Sequence, residues 1–180
     1  MGINVAKQGW GGWKVDPKAA LSGATQALNQ IGDRAHAHVK QVMPGQTGLK
    51  KRTVSKALKK KRASSGSPTY EIKSAGGNIR LKYFGARETR AGVSAAPWNQ
   101  RHVFPGTFTR GGRFPARVPL NLGGHVYARA GSKRLPIAVQ RSGLFIPDEM
   151  ISKAAYGAFQ GEVGHLDVEV LNGMAGKIGF

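Results

Sequence analysis

Cysteine is absent from this 180-residue chain, and acids are scarce: nine Asp and Glu stand against 28 Lys and Arg, a formal charge of +19. Without cysteine there is no disulfide framework and no thiolate to act as nucleophile or metal ligand. That usage suits a chain made and kept in a reducing compartment. No apolar run reaches the roughly 18 residues of a membrane-spanning helix, so no membrane partner is expected. The opening MGINVAKQGWGGWKVD has too short an apolar run for a secretory signal. Ala6 stands where an N-myristoylation signal requires Ser or Thr.

The scarcity of acids also limits catalysis. Glu71 and Glu88 are the only carboxylates between Arg34 and Pro147, which argues against a paired-carboxylate site. His36 and His38 are two apart on a predicted helix and face different sides, whereas helical zinc ligands stand three or four apart. His102, His125 and His165 are isolated, and no spacing singles out a Ser-His-Asp triad. No Gly-rich phosphate loop carries its Lys. The expectation is a non-enzyme with no catalytic residue, no metal and no cofactor.

What is present is a globular composition, 40% hydrophobic, long enough for one domain with a real core. The sequence divides into an N-terminal arm (1–15, with Trp10 and Trp13 among glycines), one domain (16–172) and a C-terminal tail (173–180). Positive charge is concentrated in two places. Residues 50–62 hold eight Lys or Arg in 13 positions, and from Thr89 to Pro147 nine basic residues, eight of them Arg, occur with no acid. Such a surface repels itself unless something acidic lies near, whether DNA, RNA or an acidic protein.

The fold class expected is α+β: a long N-terminal helix, a short basic helix, an antiparallel β-sheet with long loops, and a C-terminal helix. Asp16-Pro17 is a helix start. Leu21, Ala24, Leu28, Ile31, Ala35, Val39 and Val42 form one apolar stripe, and Pro44-Gly45 predicts the stop. A second helix is predicted over 50–61. Tyr70 and Ile72, then Ile79, Leu81 and Tyr83, alternate with polar residues around Gly76-Gly77-Asn78 and predict a hairpin. Residues 85–98 show no period and read as a functional loop. Short strands are predicted near His102–Phe104, Thr107-Phe108, His125–Ala128 and Leu135–Val139, the last an edge strand because of Pro136. Residues 111–124 read as an extended loop. A final helix opens at Ile146-Pro147 and keeps its stripe to Val170, despite three internal glycines.

The stretch GQTGLKKRTVSKALKKK (45–61) is spelled like a helix-turn-helix. That motif needs a tight junction between its helices. Proline inside a helix costs about 3 kcal/mol, so Pro44 predicts a broken junction and a loose connector. Lys50, Lys51, Arg52, Lys56, Lys59, Lys60, Lys61 and Arg62 suit phosphate or carboxylate oxygens better than base edges. They are the candidate contacts for DNA or an acidic partner. A DNA-binding protein using residues 47–62 and an RNA-binding protein of ribosomal type are the alternative readings.

YFGARETRAGVSAAPWNQRHVFPGTF (83–108) resembles the central motif of the prophage minor tail protein Z family, tail-completion proteins of long-tailed phages. ALNQIGDRAHAHV, QTGLKKRTVSKAL and RASSGSP precede it, and KRLPIAVQRSGLFIPDEM follows it, in the family's order; the likeness spans about residues 20–165. The resemblance implies a structural virion protein at the head-proximal end of the tail, assembled in the host cytoplasm as a sixfold ring. Its implied partners are the tail terminator, the tail tube, a head-completion protein and phage DNA in the channel. It makes Phe84, Gly85, Ala86, Arg87, Gly92, Val93, Ser94 and Trp98 candidate subunit or partner contacts. Six copies would carry six times +19, or +114, a charge that needs DNA or acidic neighbours beside it.

Overall fold

The computed structural model describes residues 16–179, so the expected arm with Trp10 and Trp13 lies outside the described residues. Helix α1, Pro17–Thr47, starts where the sequence predicts. Asp16 accepts a hydrogen bond from the Lys18 N–H at 2.9 Å, and Pro17 occupies the first turn. Its end is a correction. Pro44 lies inside the helix, which runs on to Thr47 and closes at Gly48, in the left-handed region at φ 78°, whose N–H donates to Pro44 O at 2.9 Å. Burial outweighs the one missing N–H of the proline. Met43 and Thr47 are fully buried, Thr47 Oγ1 donates to Met43 O at 2.7 Å, and Asn99 Nδ2 donates to Gly45 O.

The buried face of α1 is also rotated from the predicted stripe. Ala20, Gly23, Ala27, Ile31, Ala35, Val39 and Met43 are buried, whereas Leu21 is exposed and Leu28 and Val42 only half-buried. Helix-to-helix approach decides this. A Cβ on Gly23 would lie 2.1 Å from Gly173 O, so only the smallest side chains fit where the C-terminal helix crosses α1.

Helix α2, Lys51–Ala57, follows after three residues and is shorter than predicted. At Leu58 the chain becomes extended and continues as strand β1, Leu58–Lys61. Lys59, Lys60 and Lys61 therefore sit on a strand. β1 pairs antiparallel with β2, Glu71–Ser74, which sets Lys61 opposite Glu71. The predicted hairpin between residues 70–73 and 79–83 does not form. Leu81–Phe84 is a 3₁₀ turn, and Arg80 bridges Arg141. In that turn residues three apart share a face, which sends Leu81 and Phe84 together into the core.

Residues 85–98 are likewise not an irregular loop. β3 (Arg87–Thr89), β4 (Gly92–Ala95) and β5 (His102–Pro105) form an antiparallel meander with β4 at its centre. β4 is buried along its whole length, so it shows no alternation in the sequence. β6 (Thr107–Phe108), β7 (Arg110–Gly111), β8 (Val118–Pro119), β9 (Tyr127–Arg129) and β10 (Ile137–Val139) are short. β9 lies between β6 and β10, so β10 is the edge strand that Pro136 predicts, and β7 pairs with β8 across the expected loop 111–124, Arg110 opposite Pro119 and Gly111 opposite Val118.

The single C-terminal helix is corrected to three: α3 (Ile146–Met150), α4 (Lys153–Val163) and α5 (Leu166–Ile178). The breaks fall at Ile151-Ser152, just ahead of Lys153 at φ 51°, and at Gly164-His165. Because α5 runs to Ile178 and Gly173 packs on α1, residues 173–178 are not a separate tail. The core gathers Val39, Met43, Val54, Leu81, Phe84, Val93, Leu144 and Ile146 around the C-terminal half of α1. The fold class is α+β, as predicted.

Candidate functional site

The two basic regions fold into different surfaces. In the first, Lys50, Lys51 and Arg52 stand exposed at the start of α2, and Lys56 in its last turn. Cations at a helix N-terminus oppose the macrodipole, so this arrangement is held by the core contacts of Leu49 and Val54. On β1 the charge is partly answered. Lys60 Nζ lies 2.6 Å from Asp33 Oδ1, Arg62 3.4 Å from Asp33 Oδ2, and Lys61 3.7 Å from Glu71. The hydrogen bond from Lys60 holds the Asp33 carboxyl below its ordinary range against some desolvation, and Tyr70 Oη adds a second hydrogen bond at 2.7 Å. Among the described residues Lys50, Lys51, Arg52, Lys56 and Lys59 have no carboxylate partner.

The second surface was not assembled by sequence reasoning. Arg90 on the β3–β4 turn, Arg110, Arg113 and Arg117 around β7–β8, and Arg129 on β9 converge on two adjoining clefts of about 230 and 780 Å3. Both clefts share Arg90, Arg117 and Arg129. One acid enters this region. Glu88 takes a short contact from Arg117 Nη1 and a hydrogen bond from Thr109 Oγ1 at 2.8 Å. Burial raises the Glu88 carboxyl, but those hydrogen bonds outweigh it and hold the group below its ordinary range. Arg117 lies 5.9 Å from the Phe114 ring and Arg129 5.8 Å from the Phe108 ring, so aromatic faces back two guanidinium groups. The signal that pointed here was the acid-free run from Thr89 to Pro147; its convergence needed the fold.

The motif residues divide between core and surface. Phe84, Gly92, Val93 and Ser94 are buried inside the chain, so these four are not open to a partner. At Gly92, φ 148°, a Cβ would lie 2.1 Å from Phe104 O, so glycine is required for β5 to pair there. Gly85 and Arg87 remain exposed and Ala86 half-buried. Arg101, which sequence reasoning passed over, ties the motif together: its Nη1 donates to Ser94 Oγ at 3.2 Å and reaches Gly85 O at 3.5 Å. Trp98 is 36% exposed yet anchored, its Nε1 donating to Glu149 Oε1 at 2.6 Å. Gln46 Nε2 donates to the other oxygen of Glu149 at 2.7 Å, so this buried carboxylate joins α1, the Trp98 turn and α3.

His36 is buried and His38 exposed, on different sides of α1 as predicted. Burial, then the charges of Lys40 and Lys60, lowers the pKa of His36. Burial, then Lys82 and Arg80, lowers that of His125, whose Nε2 lies 3.1 and 3.2 Å from their nitrogens. Arg34 takes up two of the C-terminal acids, Glu162 and Glu169, so these do not offset either basic surface. Among the described residues no group of three or more His, Asp or Glu could hold a metal ion, and no helix is long and apolar enough to cross a membrane. Compared with known proteins, the chain matches no family model, no curated protein and no solved structure.

Proposed function

We propose that this chain is a structural, non-enzymatic protein of a long-tailed phage or prophage virion. It completes the head-proximal end of the tail, helps join tail to head, and assembles as a ring, six copies by the family resemblance. Its neighbours in that reading are the tail terminator, the tail tube and a head-completion protein. The observation that carries the reading is the outer face of the C-terminal helices. No residue of α5 is buried in the single chain, although Val168 and Leu171 are 52% and 63% exposed apolar side chains. Ile151, Tyr156 and Phe159 on and before α4 add exposed apolar surface beside a small cleft with Val39, Tyr70 and Met150. A face of this kind is covered in an assembly.

Light scattering and electron microscopy of the purified chain test this. A sixfold ring has a mass near 115 kDa, six times the 19.2 kDa chain, and forms without DNA. Leu171→Asp dissociates it. A monomer at every concentration, or an assembly indifferent to Leu171→Asp, overturns the reading.

A second reading has one observation in its favour. With α1 running to Thr47, the junction to α2 is the tight three-residue turn that a helix-turn-helix requires. Gly48 is essential to it, since a Cβ there would lie 2.6 Å from Ala96 O. The second helix is only seven residues long and passes directly into β1, which leaves little helix to lie in a major groove. Sequence-independent contact through lysines therefore fits this surface better than base reading.

A further inference from the structure

We infer that the arginine-lined clefts between the β3–β4 turn, the β7–β8 loop and β9 bind the phosphodiester backbone of nucleic acid, as a site separate from residues 50–62. Five guanidinium groups reach one region that contains a single carboxylate, Glu88, already engaged by Arg117 and Thr109. Among the described residues Arg90, Arg110, Arg113 and Arg129 have no acidic partner. Like charges gathered on one face repel one another, and a bound anion relieves that repulsion. Arg117 adds a local sign of this. Its Nη1 is used by Glu88, while its buried Nε has no hydrogen-bond partner.

The residue type narrows the ligand. Guanidinium is a planar fork that meets two oxygens of a phosphate at once, and it stays charged when partly buried. Lysine would serve a diffuse attraction; this cleft is built from arginine. The aromatic backing separates nucleic acid from an acidic peptide. Phe114 is 42% exposed at the cleft edge, under Arg117, and Phe108 pairs with Tyr127 at 6.3 Å between ring centroids. A basic track with an exposed ring at its edge is an arrangement that holds a nucleic-acid strand by phosphates and a stacked base. Backbone room is present as well, because Gly106 and Gly112 line the clefts without side chains.

This inference stands apart from the tail reading. Its readout is binding by the purified chain, whereas that reading is tested by self-association. The probes are a random 30-base-pair duplex and oligo(dT) of equal length, each titrated across 50–200 mM salt. The triple variant Arg90→Gln, Arg113→Gln, Arg129→Gln is compared with Lys50→Gln, Lys51→Gln, Lys56→Gln. The arginine variant is expected to weaken binding at least tenfold and to flatten the salt slope by about one per phosphate contact removed. Its self-association and far-ultraviolet circular dichroism stay as in the parent chain. Replacing the same three arginines by Lys keeps the slope but weakens affinity severalfold, because the fork is lost. Tighter binding of oligo(dT) than duplex, reduced by Phe114→Ala, supports the stacking role. Unchanged binding by the arginine variant overturns the proposal. So does a loss carried wholly by the lysine variant, or equal competition by polyglutamate at matched charge.

Discussion

The lysine-rich surface of α2 and β1 and the arginine-lined clefts both carry strong positive charge, but they hold it differently. The lysines stand exposed on a helix and a strand, and the Asp33 pairs are one-third or more exposed on both partners. Each such contact is a long side chain ordered against solvent, and contributes little. Around the clefts the Arg117–Glu88 pair is 19% and 11% exposed, is hydrogen-bonded to Thr109, and has Arg117 lying over an aromatic ring. A pair so placed has lost most of its water, and removing one partner leaves a charge with no compensation. Charge density alone, visible in the sequence, does not distinguish the two surfaces. Burial does.

The largest expected effect is at this pair. Glu88→Ala should destabilise the fold by about 3 kcal/mol in urea denaturation. A loss below about 1 kcal/mol would place the pair with ordinary surface contacts. Acid sharpens the same point. The Glu88 pKa is depressed in the folded chain, so its contribution is fully present above the unfolded value and is lost as pH falls through the folded one. The stability gap between parent and Glu88→Gln should therefore close as pH drops below the ordinary value of 4.5. A gap that persists to lower pH contradicts the assignment.

Next in size is the turn that carries the lysine surface. Gly48→Ala meets both the left-handed φ of 78° and the Ala96 carbonyl at 2.6 Å, and should cost about 2 kcal/mol. Asp33→Asn should cost about 1 kcal/mol, since its lysine and arginine partners are exposed. If it matches Glu88→Ala, the contrast between the surfaces fails. The smallest effect is Lys59→Gln, exposed and without a carboxylate partner, which should stay within about 0.5 kcal/mol.

Local chemistry was enough to read several features from sequence. The Asp16-Pro17 start, the α+β class, the edge position of the strand after Pro136 and the opposed faces of His36 and His38 all rest on a residue and its immediate neighbours. Where distant contacts compete with local preference, the reading went elsewhere. Pro44 stays helical because Met43 and Thr47 are buried and Gly45 is tied to Asn99. The lysine run becomes a strand because Glu71–Ser74 pairs with it. β4 gives no alternating signal because both its faces are covered. The seam of α1 follows Gly23 and not Leu21, because the approach of α5 admits no larger side chain. The basic composition was plain in the chain. That Arg90, Arg110, Arg113, Arg117 and Arg129 meet in one place, around one engaged carboxylate, was decided by the tertiary structure, since it brings together three segments that share no local spacing.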